Sequence, residues 1–435
     1  MRKQYVKWLT AELPDLVARN ILSPDTADRL RDYYGGFGRE GKKTIAAQAF
    51  AILAAILIGS GIILLLAHNW DEFSRPLRAV ISFIPLLAAQ GLAGWGTWRG
   101  KNSRGWKEGV SIFWMLAMGS SLALISQTYH ISSDPDTFTL SWMLLSIPIV
   151  YLVGGGGIIP LYLIGITIWA GMAQSSGGHP TFFWLLIALP LPRIWKISHK
   201  DTYRTAPVLL RAVFTICLII GTGIILEKSQ ADYWIVIFSS LFAITYLAGR
   251  IWFADAPPRV FLQPLRAIGS TGLLFLVFTA SFSAPWKEII HPSRAILQPE
   301  IIPALILPAG AVALLLLCRS RFKSSGSLLG VMPLLALAAT IMARATSERM
   351  IPINIVLFTA YIFILGLANL LHGIKERNIG LTNLGLVILC LLIVVRFFDS
   401  DLGFTVRGVA FIVTGVGFLL ANFILLQKKA TDRPK

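Results

Sequence analysis

Three short polar runs carry the side chains most capable of chemistry. The first, His68-Asn69-Trp70-Asp71-Glu72-Phe73-Ser74-Arg75, gathers an imidazole, two carboxylates and a guanidinium. The second holds Gln127, Tyr129, His130, Ser132, Ser133, Asp134 and Asp136, with no Lys or Arg, and is locally acidic. The third holds Arg396, Asp399, Asp401 and Arg407. Consecutive hairpins tend to adjoin, so His68, Asp71, His130, Asp134 and Asp136 could converge on a cation. Their spacing argues otherwise: His130, Asp134 and Asp136 stand at i, i+4 and i+6, which suits neither a helical zinc pair nor an Asp-rich calcium loop. No metal, no cofactor and no catalytic residue is expected. The acidic pair Asp71-Glu72 is of a kind that can act as general base or metal ligand, but the loop is short and no long loop exists to bind an acceptor.

Each run also has a purely structural reading. Trp70 at the end of an apolar stretch suits the membrane interface, Asn69 or Asp71 suits a helix cap, and Arg75 or Arg78 can pair with them. Arg396 and Asp399 are one helical turn apart, which gives a solvated ion pair of little net worth. The candidate polar site is therefore His68, Asn69, Trp70, Asp71, Arg75, Gln127, Tyr129, His130, Asp134, Arg396 and Asp399.

The elements that hold these runs follow from composition. The chain has 435 residues, 55% hydrophobic and 14% charged, where soluble domains carry about a quarter of charged positions. Apolar runs lie near 47–67, 78–98, 110–127, 139–153, 158–173, 181–195, 208–226, 233–250, 266–284, 300–318, 327–343, 352–371, 379–396 and 407–426. The expected fold is all-α, a polytopic bundle of about fourteen transmembrane helices at ~20 residues per crossing. Short loops leave no room for a separate folded catalytic domain. The fourth to sixth runs are short and broken by Gly154 to Gly157, Pro160, Pro190 and Pro192, so one of them could be re-entrant. No secretory leader is expected, since the first apolar run starts near Ala46. Cys217, Cys318 and Cys390 fall within apolar runs and suggest neither disulfides nor a metal site.

Sidedness follows from Lys and Arg near the ends of the spans. With the amino terminus inside, 30 of the 39 basic residues fall on the inner side and 9 on the outer, while the 22 acids divide equally. The net +17 thus reads as an orientation signal, with both termini cytoplasmic and the three polar runs on the outer face. Nucleic acid is excluded as a partner because the basic residues are spread over loops.

No Asp, Glu, Lys or Arg lies at the middle of any span, and Gln90, Asn369 and Asn422 are the nearest substitutes. Ion-coupled carriers usually keep an ionisable group there, so amphipathic or lipid-linked cargo fits better than protons. The glycine pairs Gly59 and Gly61, Gly221 and Gly223, and Gly415 and Gly417 suggest close helix packing.

Residues 1–46 have the grammar of a soluble helical hairpin. Leu13, Leu16, Val17 and Ile21 are spaced helically, Asn20 suits a left-handed C-terminal cap, and Ser23-Pro24-Asp25 starts a second helix. Gly35, Gly36 and Gly38 end it, and Arg39, Lys42 and Lys43 sit at the membrane surface. The hairpin either caps the bundle or docks a protein partner. The expected divisions are 1–46, 47–155, 156–426 and the basic tail 427–435.

The segments "LVARNILSPDTADRLRDYY", "AHNWD", "ALISQTYHISSD" and "SWMLLSIPIVYL" resemble the domain of unknown function 2157 family of bacterial membrane proteins, over about residues 10–155. Asn20 stands where the pattern leads one to expect Gly. The resemblance implies a bacterial inner-membrane location and membrane lipids as neighbours, and it implies no chemistry. Three functions remain: a transporter- or flippase-like protein, a non-catalytic scaffold or sensor, and a glycosyltransferase-like enzyme using Asp71 and Glu72.

Overall fold

Backbone N–H and C=O groups inside a bilayer must be paired within their own segment, so long apolar runs fold as helices. The computed structural model of the chain is helical, with no strand among the described residues. These are 12–19, 21–30, 70–100, 103–131, 134–200, 205–227, 233–253, 262–290, 301–318 and 326–397, with single positions at 405, 408, 412, 415 and 416. The chain divides into two compact units, Met1–Ile81 and Ser82–Lys435.

In the first unit, helices α1 (12–18) and α2 (24–30) form within the expected hairpin. The Ile21 N–H closes onto the Leu16 carbonyl at 3.0 Å; Asn20 itself lies outside the described residues. Ser23 caps α2 as its sequence suggests, accepting from the Thr26 N–H at 3.3 Å. Asp15–Arg19 and Asp25–Arg29 pair one turn apart at 2.9 and 3.1 Å. Exposed pairs of this kind add only a few tenths of a kcal/mol. Leu13 and Ala27 are buried.

Helix α3 (Arg75–Trp98) spans the division between the units. The second unit continues with α4 (Arg104–Thr128), α5 (Pro135–Leu152), α6 (Ile158–Ser176), α7 (Phe183–Ala188), α8 (Leu191–Lys200) and α9 (Thr205–Glu227). Then come α10 (Trp234–Trp252), α11 (Pro264–Ala280), α12 (Ala284–Ile290), α13 (Ile301–Cys318), α14 (Gly326–Gly330), α15 (Met332–Thr346), α16 (Ile351–Lys375) and α17 (Ile379–Phe397). Two apolar clusters fill it. One joins α4 to α9 around Tyr162, Ile166 and Phe183. The other joins α10 to α17 around Val277, Trp286 and Phe358.

Among the described residues eight helices are long and apolar enough to cross a membrane, or nine if the bent pair α11 and α12 is one crossing. Of the fourteen expected spans, 47–67 lies outside the described residues, as does nearly all of 407–426. The expected span at 181–195 is split among a 3₁₀ turn at Pro180–Phe182, α7 and α8, because Pro190 and Pro192 interrupt the helical ladder. A second break lies within the expected span 266–284, where α11 and α12 meet at 77°. Pro285 in the first turn of α12 removes one N–H and disfavours helix at the residue before it, and the Ser283 carbonyl starts the new helix by accepting from Trp286 and Lys287, each at 3.1 Å.

Several hydroxyl side chains inside the bundle satisfy themselves locally. Thr167, Thr215, Thr222 and Thr245 donate to the carbonyl four residues back at 2.6–2.9 Å. Other donors join helices: Ser121 Oγ to the Ser82 carbonyl at 2.6 Å, Trp142 Nε1 to the Met115 carbonyl at 2.7 Å, and Tyr162 OH to the Leu186 carbonyl at 3.0 Å. Such bonds between membrane helices are each worth about 0.6 kcal/mol on average.

Candidate functional site

The contacts of the second unit sort its helix ends into two sets. At one end, a Cβ on Gly155 would lie 2.7 Å from the Lys107 carbonyl. Arg193 Nη2 donates to the Gly154 carbonyl at 2.6 Å. The Arg211 guanidinium lies 4.1 Å from the Phe253 ring, and Arg266 donates to the carbonyls of Gly249 and Phe253 at 3.0 and 2.7 Å. We call this the basic end. At the opposite end, Ser176 Oγ donates to Asp136 Oδ2 at 2.9 Å, Arg344 to the Tyr233 hydroxyl at 2.7 Å, and Arg396 to Thr359 Oγ1 at 2.9 Å and to the Ser281 carbonyl. Within this unit, connections that the charge count places on one side therefore meet at one end.

In the first polar run, His68 and Asn69 lie outside the described residues. Trp70, Asp71 and Glu72 form a single 3₁₀ turn, with Trp70 buried. Arg75 begins α3 and is exposed, while Arg78 Nε donates to the Phe73 carbonyl at 2.9 Å.

The second run is built by the end of α4 and the start of α5. His130 adopts φ 52°, the left-handed conformation in which a helix commonly terminates. Its N–H meets the Gln127 carbonyl at 3.4 Å, and the Ile131 N–H meets the Ser126 carbonyl at 2.9 Å. Those two bonds are a Schellman closure, and Ser126 Oγ reinforces it by donating to the Ile131 carbonyl at 2.8 Å. Gln127, Tyr129 and His130 are exposed around the closure. Asp134 occupies the N-cap of α5, with Pro135 at the first helical position and no side-chain capping bond. Asp136 accepts from the Thr137 N–H at 2.8 Å and from Ser176, so it ties α5 to α6.

The third run is only partly described. Arg396 reaches the break between α11 and α12, and its guanidinium lies 5.7 Å from the Phe282 ring. Asp399 lies outside the described residues. Within the second unit the candidate residues thus fall in two settings, Gln127 to Asp136 beside the first apolar cluster and Arg396 beside the second. Among the described residues no group of three His, Cys, Asp or Glu side chains could hold a metal ion.

Reasoning from sequence used Arg193, Lys196, Arg211 and Arg266 only as counts of charge. The structure gathers Arg211 and Arg266 with Gln263 and Pro264 around a cavity of about 10 Å³, enough for roughly one water. The alternation of apolar and basic residues in "LPRIWKISHK" could have singled out Arg193 and Lys196; Arg211 and Arg266 carry no comparable local signal. Glycine patterning was a partial guide. A Cβ on Gly221 would collide with the Phe183 ring, on Gly223 it would reach only ordinary contact with Phe238, and around Gly415 there is open space.

No curated protein and no solved structure matches this chain. Residues 14–158 match the family described as "Predicted membrane protein (DUF2157)", so the resemblance drawn from its head and first loops is met, and this chain is a polytopic helical membrane protein whose matching family is described without an activity.

Proposed function

We propose that the chain is a transporter- or flippase-like protein of the bacterial inner membrane, with both termini cytoplasmic and an amphipathic or lipid-linked substrate. The observation that supports this reading is the broken crossing formed by α11 and α12. Its 77° bend interrupts the ladder at Ser281-Phe282-Ser283, and Arg396 from α17 donates to the freed Ser281 carbonyl. Carriers use discontinuous helices of this kind to place backbone polar groups near their cargo, and irregular backbone at membrane depth persists only where protein or water covers it. The polar groups at the opposite end, from Gln127 to Asp134 together with Arg396, are then the candidate contacts for a headgroup.

The test is a leaflet-exchange assay with the full chain in liposomes containing a headgroup-labelled phospholipid. Adding an impermeant reductant outside should bleach inner-leaflet label faster than in protein-free vesicles, and Arg396→Gln should slow that phase. Rates equal to protein-free vesicles would remove the reading.

A second reading, a non-catalytic scaffold or sensor that docks a protein through residues 1–46, draws support from the two filled apolar clusters. It expects deletion of residues 1–40 to release a co-purifying partner while the bundle remains folded.

A further inference from the structure

Two connections far apart in sequence meet at the basic end. Trp195 of α8 lies against Trp252, the last residue of α10, with ring centroids 5.8 Å apart and planes at 85°. Both indoles are about half exposed, at 56% and 52%. Arg211, in the second turn of α9, is 6% exposed and lines the small cavity with Phe253, Gln263 and Arg266. Helix α8 buries Ile194 and Ser198 and turns Trp195 and Lys196 outward. Among the described side chains of the two connections, Arg193, Lys196, Arg211, Arg250 and Arg266 are basic and none is acidic.

This arrangement has two chemical parts side by side: a strong positive excess, with one guanidinium sunk below the surface, and a pair of exposed indoles next to it. Interfacial tryptophans take the polar–apolar boundary of a bilayer, and basic pockets between membrane helices take lipid phosphates. A free phosphate ion would leave the indoles uncovered. The cavity is too small to enclose a phosphate, so the headgroup must sit at its mouth.

We propose that the basic end holds an anionic phospholipid, its phosphate near Arg211 and Lys196 and its acyl chains along Trp195 and Trp252. The site does not depend on whether the bundle moves any cargo, and its test measures binding alone. Purified full-length protein in detergent is titrated with phosphatidylglycerol, with phosphatidylcholine and with inorganic phosphate, and bound lipid is counted by native mass spectrometry. Phosphatidylglycerol should bind about tenfold or more tightly than phosphatidylcholine, since each basic group near an anionic surface is worth about fivefold.

Arg211→Gln should lose most of that preference. If that variant does not fold, the exposed pair Trp195→Ala with Lys196→Gln decides, and it should weaken binding about tenfold. Lys428→Gln with Lys429→Gln in the tail should leave binding unchanged. Equal affinity for the two lipids, full competition by inorganic phosphate, or an equal loss in the tail variant would overturn the proposal.

Discussion

His130 was a candidate ligand by type, and its backbone gives it a definite second task. A side chain at φ 52° brings Cβ toward the carbonyl oxygen, a cost of roughly 1–2 kcal/mol that Gly escapes and Asn lowers by local hydrogen bonding. His130→Gly should therefore raise the stability of the purified protein by up to about 1 kcal/mol and His130→Asn by less, while His130→Val, whose β-branch crowds a left-handed backbone further, should lower it. Loss of stability in the Gly variant would mean that the imidazole itself holds the loop. Sequence could mark His130 as polar and next to a loop, but a left-handed residue carries no composition signal unless it is Gly or Asn. Asp136 shows the same limit: its bond to Ser176, 40 residues away, is tertiary and invisible to spacing.

Helix pairs are held by close approach more than by polar links. A Cβ on Gly269 of α11 would lie 2.6 Å from the Tyr246 nitrogen and 2.8 Å from the Phe242 carbonyl oxygen, and one on Gly385 of α17 would lie 2.5 Å from the Leu370 nitrogen. These are backbone atoms of the partner helix, which cannot swing away as a side chain would. Gly269→Ala and Gly385→Ala should each destabilise the protein by about 1–3 kcal/mol through overpacking. Gly109, with nothing within 4 Å of its added Cβ, should tolerate alanine. A melting series in detergent separates the two groups, and equal behaviour of Gly269 and Gly109 would refute the close packing of α10 on α11. Pairs of glycines were the visible sequence signal, and they marked Gly221 correctly. Gly385 stands without a second glycine within a turn, so only the fold reveals it, while Gly269 has Gly272 one turn on, also against Phe242. Breaks follow the same logic: prolines announced the interruption at 180–192, while Pro285 was not singled out because it falls just past the end of the expected span 266–284.

At the scale of the molecule, hydropathy made the helical membrane class legible, because a bilayer admits few alternatives for an apolar chain. The count was less legible. Length and apolarity alone made a single span of 181–195, whereas the chain builds it from short pieces. Alternation still holds across these irregular segments, since Ser176 meets Asp136 at one end and Arg193 meets Gly154 at the other. The segment 180–190 must therefore carry the chain from one end of the bundle to the other, and this has a consequence for sidedness. Asp134, before that segment, and Lys375, after it, then lie on opposite faces, and the positive-inside rule predicts that Lys375 is the cytoplasmic one. Single cysteines at these two positions, in a chain whose Cys217, Cys318 and Cys390 are replaced by Ala, should differ in labelling by an impermeant maleimide. Asp134→Cys should react in intact spheroplasts and Lys375→Cys only after the membrane is opened. Reaction of both from outside would mean that 180–190 does not cross, and the reverse pattern would mean that the positive excess faces outward.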